Sequence, residues 1–503
     1  MTFLSMNLSA FEKRDLYLLA ILVVTLWGFA LRIYALGYQS LWNDEAASIN
    51  AAFGMLEHGW PLLPSGEVYS RSILNTGIIA SSLGLFGSSE FAARLPSVLF
   101  GTLTIPLVFL FARKVGDNKI ALIAAIITAF CVLEIAWSRQ ARMYQQLQFF
   151  YLLSLYLFYQ FYQTKSKRYL AATIVFTLCA GLSHEFGFVL ILIFPVYAFL
   201  LNIRNVKKFL SKEFLLQKKV IFSILAIIAL IALAEVEFGV LSSVLNSAGN
   251  IHLQYYLGYL ITTIPVISLF AVVGAVLFFR RERQTSLLLI LSIIIPLYFF
   301  SFHLELWGYR YLYFLLPIVF ILFSYGVVHF VDLIPELRPR PILRLLLPVL
   351  LLGLTLSYGF VFTPHSCYYH FDPTIQQPDF KRAYSFVEEN RSEGDIVIDA
   401  WPVVGVFYLS ETPDYWLQWD TSGTHVKVVE NGEPREAQSG APVIENLDML
   451  EDVIEESERG WIVIDSYAWN WLPEDERDFI SGLNYYEEGS STGEQGDIMV
   501  YGW

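Results

Sequence analysis

The chain has 503 residues, 55% of them hydrophobic and 16% charged, with a formal net charge of −13. Charge this sparse over so long a stretch excludes a purely water-soluble protein, which needs polar residues to cover its surface, and no nucleic-acid partner is expected of so acidic a chain. The apolar residues are concentrated before position 363, so an all-α polytopic membrane domain is expected over 1–363 and a small acidic α/β domain over 364–503.

Lys13 and Arg14 precede the first apolar run, which is long enough to span and ends in no Ala-x-Ala cleavage site; it reads as an uncleaved signal anchor. Runs extendable to the roughly 17 to 25 residues that a hydrocarbon core demands predict about eleven transmembrane helices. They fall near 16–36, 95–112, 119–136, 147–163, 168–183, 186–203, 219–240, 257–279, 284–302, 311–331 and 343–362. The polar interruption Ser183-His184-Glu185 separates the fifth from the sixth. Between the first two spans, residues 37–94 form more than a loop, with segments Glu45–Leu56 and Ile73–Phe86 expected to lie along the interface. With the N-terminus in the cytoplasm, the six cytoplasmic segments carry 20 Lys and Arg against 7 Asp and Glu, the bias of the positive-inside rule. An odd count puts residues 363–503, with 29 acidic and 7 basic side chains, outside the cytoplasm of a multi-pass cell-membrane protein. Cys131, Cys179 and Cys367 have no metal-binding or CxxC spacing.

In that topology the ionisable residues of the apolar region gather at the non-cytoplasmic face. They lie in Leu41-Trp42-Asn43-Asp44-Glu45, Glu57-His58, Glu67-Val68-Tyr69-Ser70-Arg71, Glu134, Arg139-Gln140-Ala141-Arg142-Met143-Tyr144, His184-Glu185, Glu235, Glu237 and His303-Leu304-Glu305-Leu306-Trp307-Gly308-Tyr309-Arg310-Tyr311. Charged groups near a bilayer are expensive and line cavities, pair or snorkel. A carboxylate can act as general base toward an acceptor hydroxyl, and Arg or His can hold a phosphate. A sugar on a lipid phosphate already has a good leaving group, so one base and a cationic clamp suffice. Plainer readings stand beside these. Asp44-Glu45 also suits a helix N-terminus, Arg139 and Arg142 could hold lipid headgroups, His184-Glu185 could serve a tight turn, and Trp42, Trp60, Trp137 and Trp307 suit interface anchors.

Leu41-Trp42-Asn43-Asp44-Glu45 shortly after the first helix resembles the polyprenyl-phosphate sugar glycosyltransferases of the GT-C fold. The branch is glycosyltransferase family 39, which contains the protein O-mannosyltransferases, with the lipid A aminoarabinose transferases as relatives. Glu90-Phe91-Ala92-Ala93-Arg94-Leu95-Pro96-Ser97, Ser138-Arg139-Gln140-Ala141-Arg142-Met143-Tyr144 and Arg310-Tyr311-Leu312-Tyr313-Phe314-Leu315-Leu316-Pro317 fit the same branch, so the resemblance covers about residues 15 to 330. It implies an enzyme that moves a sugar, mannose or another hexose, with inversion, from a dolichyl- or undecaprenyl-phosphate carrier to a hydroxyl of a protein, glycan or lipid acceptor. It further implies catalytic carboxylates at Asp44, Glu45 and Glu67, although Glu67-Val68-Tyr69 replaces the acidic-basic-proline run frequent in the family. Carrier phosphate and substrate are expected at Arg71, Arg139, Arg142, Tyr144, His184, His303, Arg310 and Tyr311. No metal site is specified by spacing, and a divalent cation is not expected. The competing functions are a glycan polymerase or ligase using lipid-diphosphate donors, a transporter of lipid-linked sugars, and a non-catalytic glycan-binding protein. A transporter should show internal repeats, and none is visible.

In the tail, Gly394–Ala400 and Gly460–Ser466 read as two buried, central, parallel strands, and Lys381–Glu389, Leu447–Arg459 and Glu474–Ser481 as helices. Asp399 and Asp465 sit at strand C-terminal ends, where open sheets bind ligands, although no glycine-rich phosphate loop accompanies them.

Overall fold

The computed structural model describes residues 10–202, 252–303, 308–334, 336, 340–357, 359–367, 378–420, 426–428, 432–492 and 496–503. The predicted span at 219–240, with Glu235 and Glu237, and residues 304–307, with Glu305 and Trp307, lie outside the described residues. In chain order the helices are α1 (Ala10–Ile33), α2 (Asn43–His58), α3 (Ile73–Phe86), α4 (Glu90–Val115), α5 (Asn118–Phe130), α6 (Val132–Ser138), α7 (Tyr144–Thr164), α8 (Lys167–Ser183) and α9 (Val189–Asn202). There follow α10 (Leu253–Thr263), α11 (Pro265–Arg281), α12 (Arg283–His303), α13 (Leu316–Phe330) and α14 (Pro341–Leu356). In the tail come α15 (Phe380–Asn390), α16 (Pro402–Leu409), α17 (Leu447–Glu456), α18 (Ser466–Trp471) and α19 (Glu474–Ser481).

The chain divides into two compact units. One holds residues 10–27, 103–131 and the described part of 146–361; the other holds 28–102, 132–145 and the described part of 362–503. Among the described residues five helices are long and apolar enough to cross a membrane, or six if the bent pair α10–α11 is one span. The predicted single span 257–279 is that pair, bent by 108°. Pro265 opens α11 and brings no N–H to continue the preceding helix, so the ladder breaks there. The predicted span 119–136 is likewise two helices, because Cys131 takes an extended backbone (φ −63°, ψ 126°) between α5 and α6.

In the first unit α11 lies against α13. A Cβ at Gly274 would overlap the Leu322 carbonyl, and one at Gly326 the Phe270 carbonyl. Small residues at a crossing let helix backbones touch, which replaces the hydrophobic drive that is lost inside lipid.

The second unit joins the segment after the first helix to the acidic tail. Its sheet has the order β5-β2-β1-β6-β8-β7, formed by β1 (Ile396–Asp399), β2 (Tyr415–Leu417), β5 (Val443–Ile444), β6 (Gly460–Asp465), β7 (Asn484–Tyr485) and β8 (Ile498–Gly502). A separate ribbon pairs β3 (Val426–Val428) with β4 (Pro434–Glu436). The expected strands β1 and β6 are central and parallel to each other, and β8 closes antiparallel on β6. Both central strands are apolar along nearly their whole length because both faces are covered. One core contains Ala46 and Ala47 of α2 together with Tyr384, Val397, Val403, Trp461 and Val500 of the tail. Asn50 Nδ2 donates to the Val403 carbonyl at 2.8 Å, and the Leu41 N–H donates to the Tyr408 hydroxyl at 2.9 Å. The helix that begins with Asn43-Asp44-Glu45 is therefore bedded on the tail.

Candidate active site

Helix α2 starts after the extended residue Trp42, with Asp44 and Glu45 in its first turn, where the helix dipole favours carboxylates. Adjacent residues on a helix point about 100° apart, and the two acids part company. The Glu45 carboxylate is fully buried and grips Arg94 of α4 bidentately, with both N···O distances 2.8 Å; it also accepts the Ala141 N–H at 2.7 Å. The remaining Arg94 donors go to the carbonyls of Leu36, Gln39 and Ser40. Glu45 thus ties three segments together.

Asp44 faces the other way and keeps 28% of its side chain exposed, 3.3 Å from the Arg142 guanidinium. Arg142 Nη1 donates to the Asp44 carbonyl (2.7 Å), the Ser48 hydroxyl (2.7 Å) and the Tyr69 hydroxyl (3.0 Å). The guanidinium also sits 5.8 Å from the Tyr144 ring centroid, and Tyr144 meets Trp137 edge to face at 4.9 Å. Arg142 Nε and both amide atoms of Gln140 are buried without a hydrogen-bond partner among the described residues. Orphaned polar atoms are costly in a folded protein unless a ligand or solvent meets them, so the orphaned Nε of Arg142, beside Asp44, fits a polar binding cavity.

Arg139 does something different. Its guanidinium donates to the carbonyls of Arg32 (2.9 Å), Tyr34 (2.6 Å), Ala35 (3.3 Å) and Ser366 (3.0 Å). It satisfies the end of α1, where the last helical carbonyls lack intrahelical donors and Ala35 adopts φ +47°. Glu67 and Arg71 are exposed on the segment between α2 and α3; the member of that segment that reaches Arg142 is Tyr69. Tyr69 and Ser48 were not singled out as site residues from the sequence, and the only signal was the replacement of the family's usual run at Glu67-Val68-Tyr69. Arg94 was legible only as part of a family motif, not as the partner of Glu45.

The expected residues His184, His303, Arg310 and Tyr311 lie in the other unit. His184 is buried, its Nδ1 accepting the Phe186 N–H at 3.2 Å and lying 3.7 Å from a Glu185 carboxylate oxygen. Phe186 lies tilted against His184 with ring centroids 4.2 Å apart and meets Tyr311 edge to face at 5.1 Å, and Arg310 lies 5.7 Å from the Tyr311 ring. His303 packs against Tyr298 and Phe299. Among the described residues no group of three or more His, Cys, Asp and Glu is placed to hold a metal ion.

In the tail, Asp399 and Asp465 end the two central parallel strands. Asp399 accepts the Tyr384 hydroxyl (2.7 Å) and the Trp401 N–H (2.8 Å); Asp465 accepts the Ala468 N–H (2.8 Å) and the Trp401 indole N–H (2.9 Å). Burial pushes the Asp399 carboxyl up to about 7 against the opposing pull of those donors, and raises Asp465 as well. Gly405 is required where α16 passes over Asp399, since a Cβ there would overlap the carboxylate.

Residues 71–234 match the model of the dolichyl-phosphate-mannose-protein mannosyltransferase family. An uncharacterised protein of Aquifex aeolicus is 32% identical over 167 residues, which are 32% of this chain and 33% of that protein. The match spans only about a third of that relative's length. Among solved structures, ArnT from Cupriavidus metallidurans bound to undecaprenyl phosphate superposes with a TM-score of 0.58 at 13% identity, covering 98% of both chains. The oligosaccharyltransferase AglB from Archaeoglobus fulgidus, in complex with an inhibitory peptide and a dolichol-phosphate, gives 0.58 at 12% identity, covering 94% of this chain and 73% of its own. Such likenesses speak to architecture, and the architecture agrees with the one that the sequence motifs implied: the chain has the GT-C fold, a helical membrane region with a small sheet-containing C-terminal part.

Proposed function

We propose that the protein is an inverting glycosyltransferase that moves a sugar, mannose or another hexose, from a polyprenyl- or dolichyl-phosphate carrier to an acceptor hydroxyl at the extracytoplasmic face of the membrane. The observation that carries this reading is the Asp44–Arg142–Tyr69 cluster at the head of α2, a part-exposed carboxylate beside a buried guanidinium. Asp44 takes the proton of the acceptor hydroxyl while its oxygen attacks the anomeric carbon from the face opposite the phosphate. The sugar–phosphate bond breaks, and the electron pair leaves with the carrier as its monophosphate. Arg142 lies beside Asp44 and supplies positive charge to the site. Glu45, Arg94 and Arg139 act by holding this geometry, since their polar atoms face protein partners. His184, Arg310 and Tyr311 of the other unit have the chemistry to hold phosphate, and Glu67 and Arg71 have the exposure to meet a substrate. The ligase reading has one observation in its favour, the likeness to an oligosaccharyltransferase, but ArnT covers more of both chains.

The test is turnover of radiolabelled polyprenyl-phosphate mannose by the purified protein in lipid, with native membrane extract as acceptor, for wild type beside Asp44→Asn. The expected result is labelled product from wild type and a loss of at least about a hundredfold in the variant, with carrier binding retained. Equal turnover by the two proteins would remove Asp44 from the chemistry.

A further inference from the structure

The segment that carries Tyr69 is a short hairpin. The Leu63 N–H donates to the Glu67 carbonyl and the Tyr69 N–H to the Pro61 carbonyl, both at 2.8 Å, with Leu62 and Val68 paired antiparallel between them. The loop is Pro64-Ser65-Gly66. The Gly66 N–H donates back to the Leu63 carbonyl at 2.8 Å and Gly66 takes φ +82°, as a three-residue hairpin connection closed by a left-handed glycine requires. Glu67 and Val68 of the returning arm are exposed. A two-stranded piece this small is marginal by itself in water, so its position depends on what it rests against.

It rests on α2 at its base and on the acidic tail at its tip, all within the second compact unit. The outgoing arm crosses α2 so closely that a Cβ at Gly54 would overlap the Leu62 carbonyl. At the tip, the Ser65 N–H donates to the Gln438 carbonyl at 3.1 Å and the Ser65 hydroxyl to the Ala437 carbonyl at 2.7 Å. Gly440 adopts φ +79°, and an added Cβ there would lie 3.1 Å from Ser65 Cα. One buried acid organises the receiving turn. The Glu436 carboxylate accepts the Gln438 N–H at 3.0 Å, the Ser439 N–H at 2.6 Å and the Ser439 hydroxyl at 2.7 Å, and the Glu436 carbonyl accepts the Gly440 N–H at 2.9 Å. The Ala437 and Gln438 carbonyls are thereby set to receive Ser65.

The returning arm ends at Tyr69, whose hydroxyl accepts from Arg142 Nη1 at 3.0 Å, and the same guanidinium lies 3.3 Å from the Asp44 carboxylate. The contacts therefore run from Glu436 through the turn to Ser65, along the hairpin to Tyr69, and on to Arg142 and Asp44. A guanidinium carries five donors in a planar fork, and its orientation is set by the acceptors around it. Here those are the Asp44 carbonyl and the Ser48 and Tyr69 hydroxyls. The Tyr69 hydroxyl belongs to neither α2 nor the Arg142 segment, so a shift of the hairpin moves it relative to both. A misplacement of about 1 Å at a reacting centre is enough to cost a rate on the order of a hundredfold.

We propose that the tail turn Glu436–Gly440 is a positioning part of the active site: by holding the hairpin at Ser65 it sets Tyr69 on Arg142 and so orients the guanidinium beside Asp44. Glu436 and Ser65 are positioning residues that act through Tyr69. The proposal rests on the glycosyltransferase reading given above and gives the acidic tail a role in that reaction.

Two measurements on the full-length protein in lipid nanodiscs test it, for Ser65→Ala, Glu436→Gln, Tyr69→Phe and the double variant Ser65→Ala/Tyr69→Phe. The first is steady-state transfer from labelled carrier, with kcat and KM separated. Tyr69→Phe should lower kcat by at least about tenfold and the Ser65 and Glu436 variants by at least about threefold, with KM for the carrier within about twofold of wild type and near-UV circular dichroism unchanged. The double variant should be no slower than Tyr69→Phe alone, because residues acting through one contact are not additive. The second is amide hydrogen exchange read by mass spectrometry, which needs no turnover. Exchange over residues 61–69 should be faster in Ser65→Ala and Glu436→Gln, with residues 44–56 of α2 unchanged. Unchanged kcat in both of those variants, a double variant whose loss is the product of the single losses, or unchanged exchange of the hairpin overturns the positioning role while leaving the transferase reading standing. A wild type that transfers from no carrier sinks the transferase reading, and the exchange data then still decide whether the tail holds the hairpin.

Discussion

Asp44 and Glu45 are neighbours of the same charge, and their separation is decided by a single step around α2. Glu45 is sealed against Arg94 with 0% and 3% of the two side chains exposed. Losing one partner of such a pair strands the other charge in a dry environment, at a cost of about 3 to 5 kcal/mol. Glu45→Gln should therefore lower the thermal unfolding temperature and the yield of folded protein, with specific activity falling in step with the folded fraction. Asp44→Asn should leave the unfolding temperature within a degree or two while removing turnover. If Glu45→Gln instead folded normally and lost activity outright, Glu45 and not Asp44 would be the reacting group. Arg139 and Arg142, three residues apart, make the same point with cations. One caps the end of α1, the other faces Asp44.

At the scale of elements, the tail's central strands end in buried carboxylates that solvent would ionise. The ordinary aspartate value is 3.8, and Asp399 is raised to about 7. Between those two pH values the folded state holds a proton that the unfolded chain has released, so stability falls as pH rises through the window. Glu476, also raised to about 7 by burial and by Asp475, and Asp465 act in the same direction. The unfolding temperature of the tail, followed by tryptophan fluorescence, should decline from pH 4 to pH 7, and Asp399→Asn should flatten part of that decline. An unchanged slope in the variant would show that Asp399 ionises at its ordinary value. The same strand end holds α16 in place through Tyr384 and Trp401, and α16 in turn carries Val403 and Tyr408, which bind α2 and the Leu41 amide.

For the whole molecule, the charge asymmetry of the loops predicts that a reporter fused after Trp503 is extracytoplasmic; a cytoplasmic reporter would invert the topology. Hydropathy, period and charge were enough to determine that the chain enters a membrane, that an acidic α/β tail follows, and that α3, β1 and β6 form where they do. Each of these depends on local composition or on a short repeat. Sequence motifs also drew attention to Asp44 and Arg142, which the structure brings 3.3 Å apart. Only the tertiary structure decided that Glu45 is a clamp, that Tyr69 completes the cluster, that Cys131 and Pro265 interrupt predicted spans, and that the tail and the segment after the first helix share one core. Partner choice among buried polar groups depends on residues tens to hundreds of positions apart, where packing geometry rather than spacing along the chain sets which atoms meet.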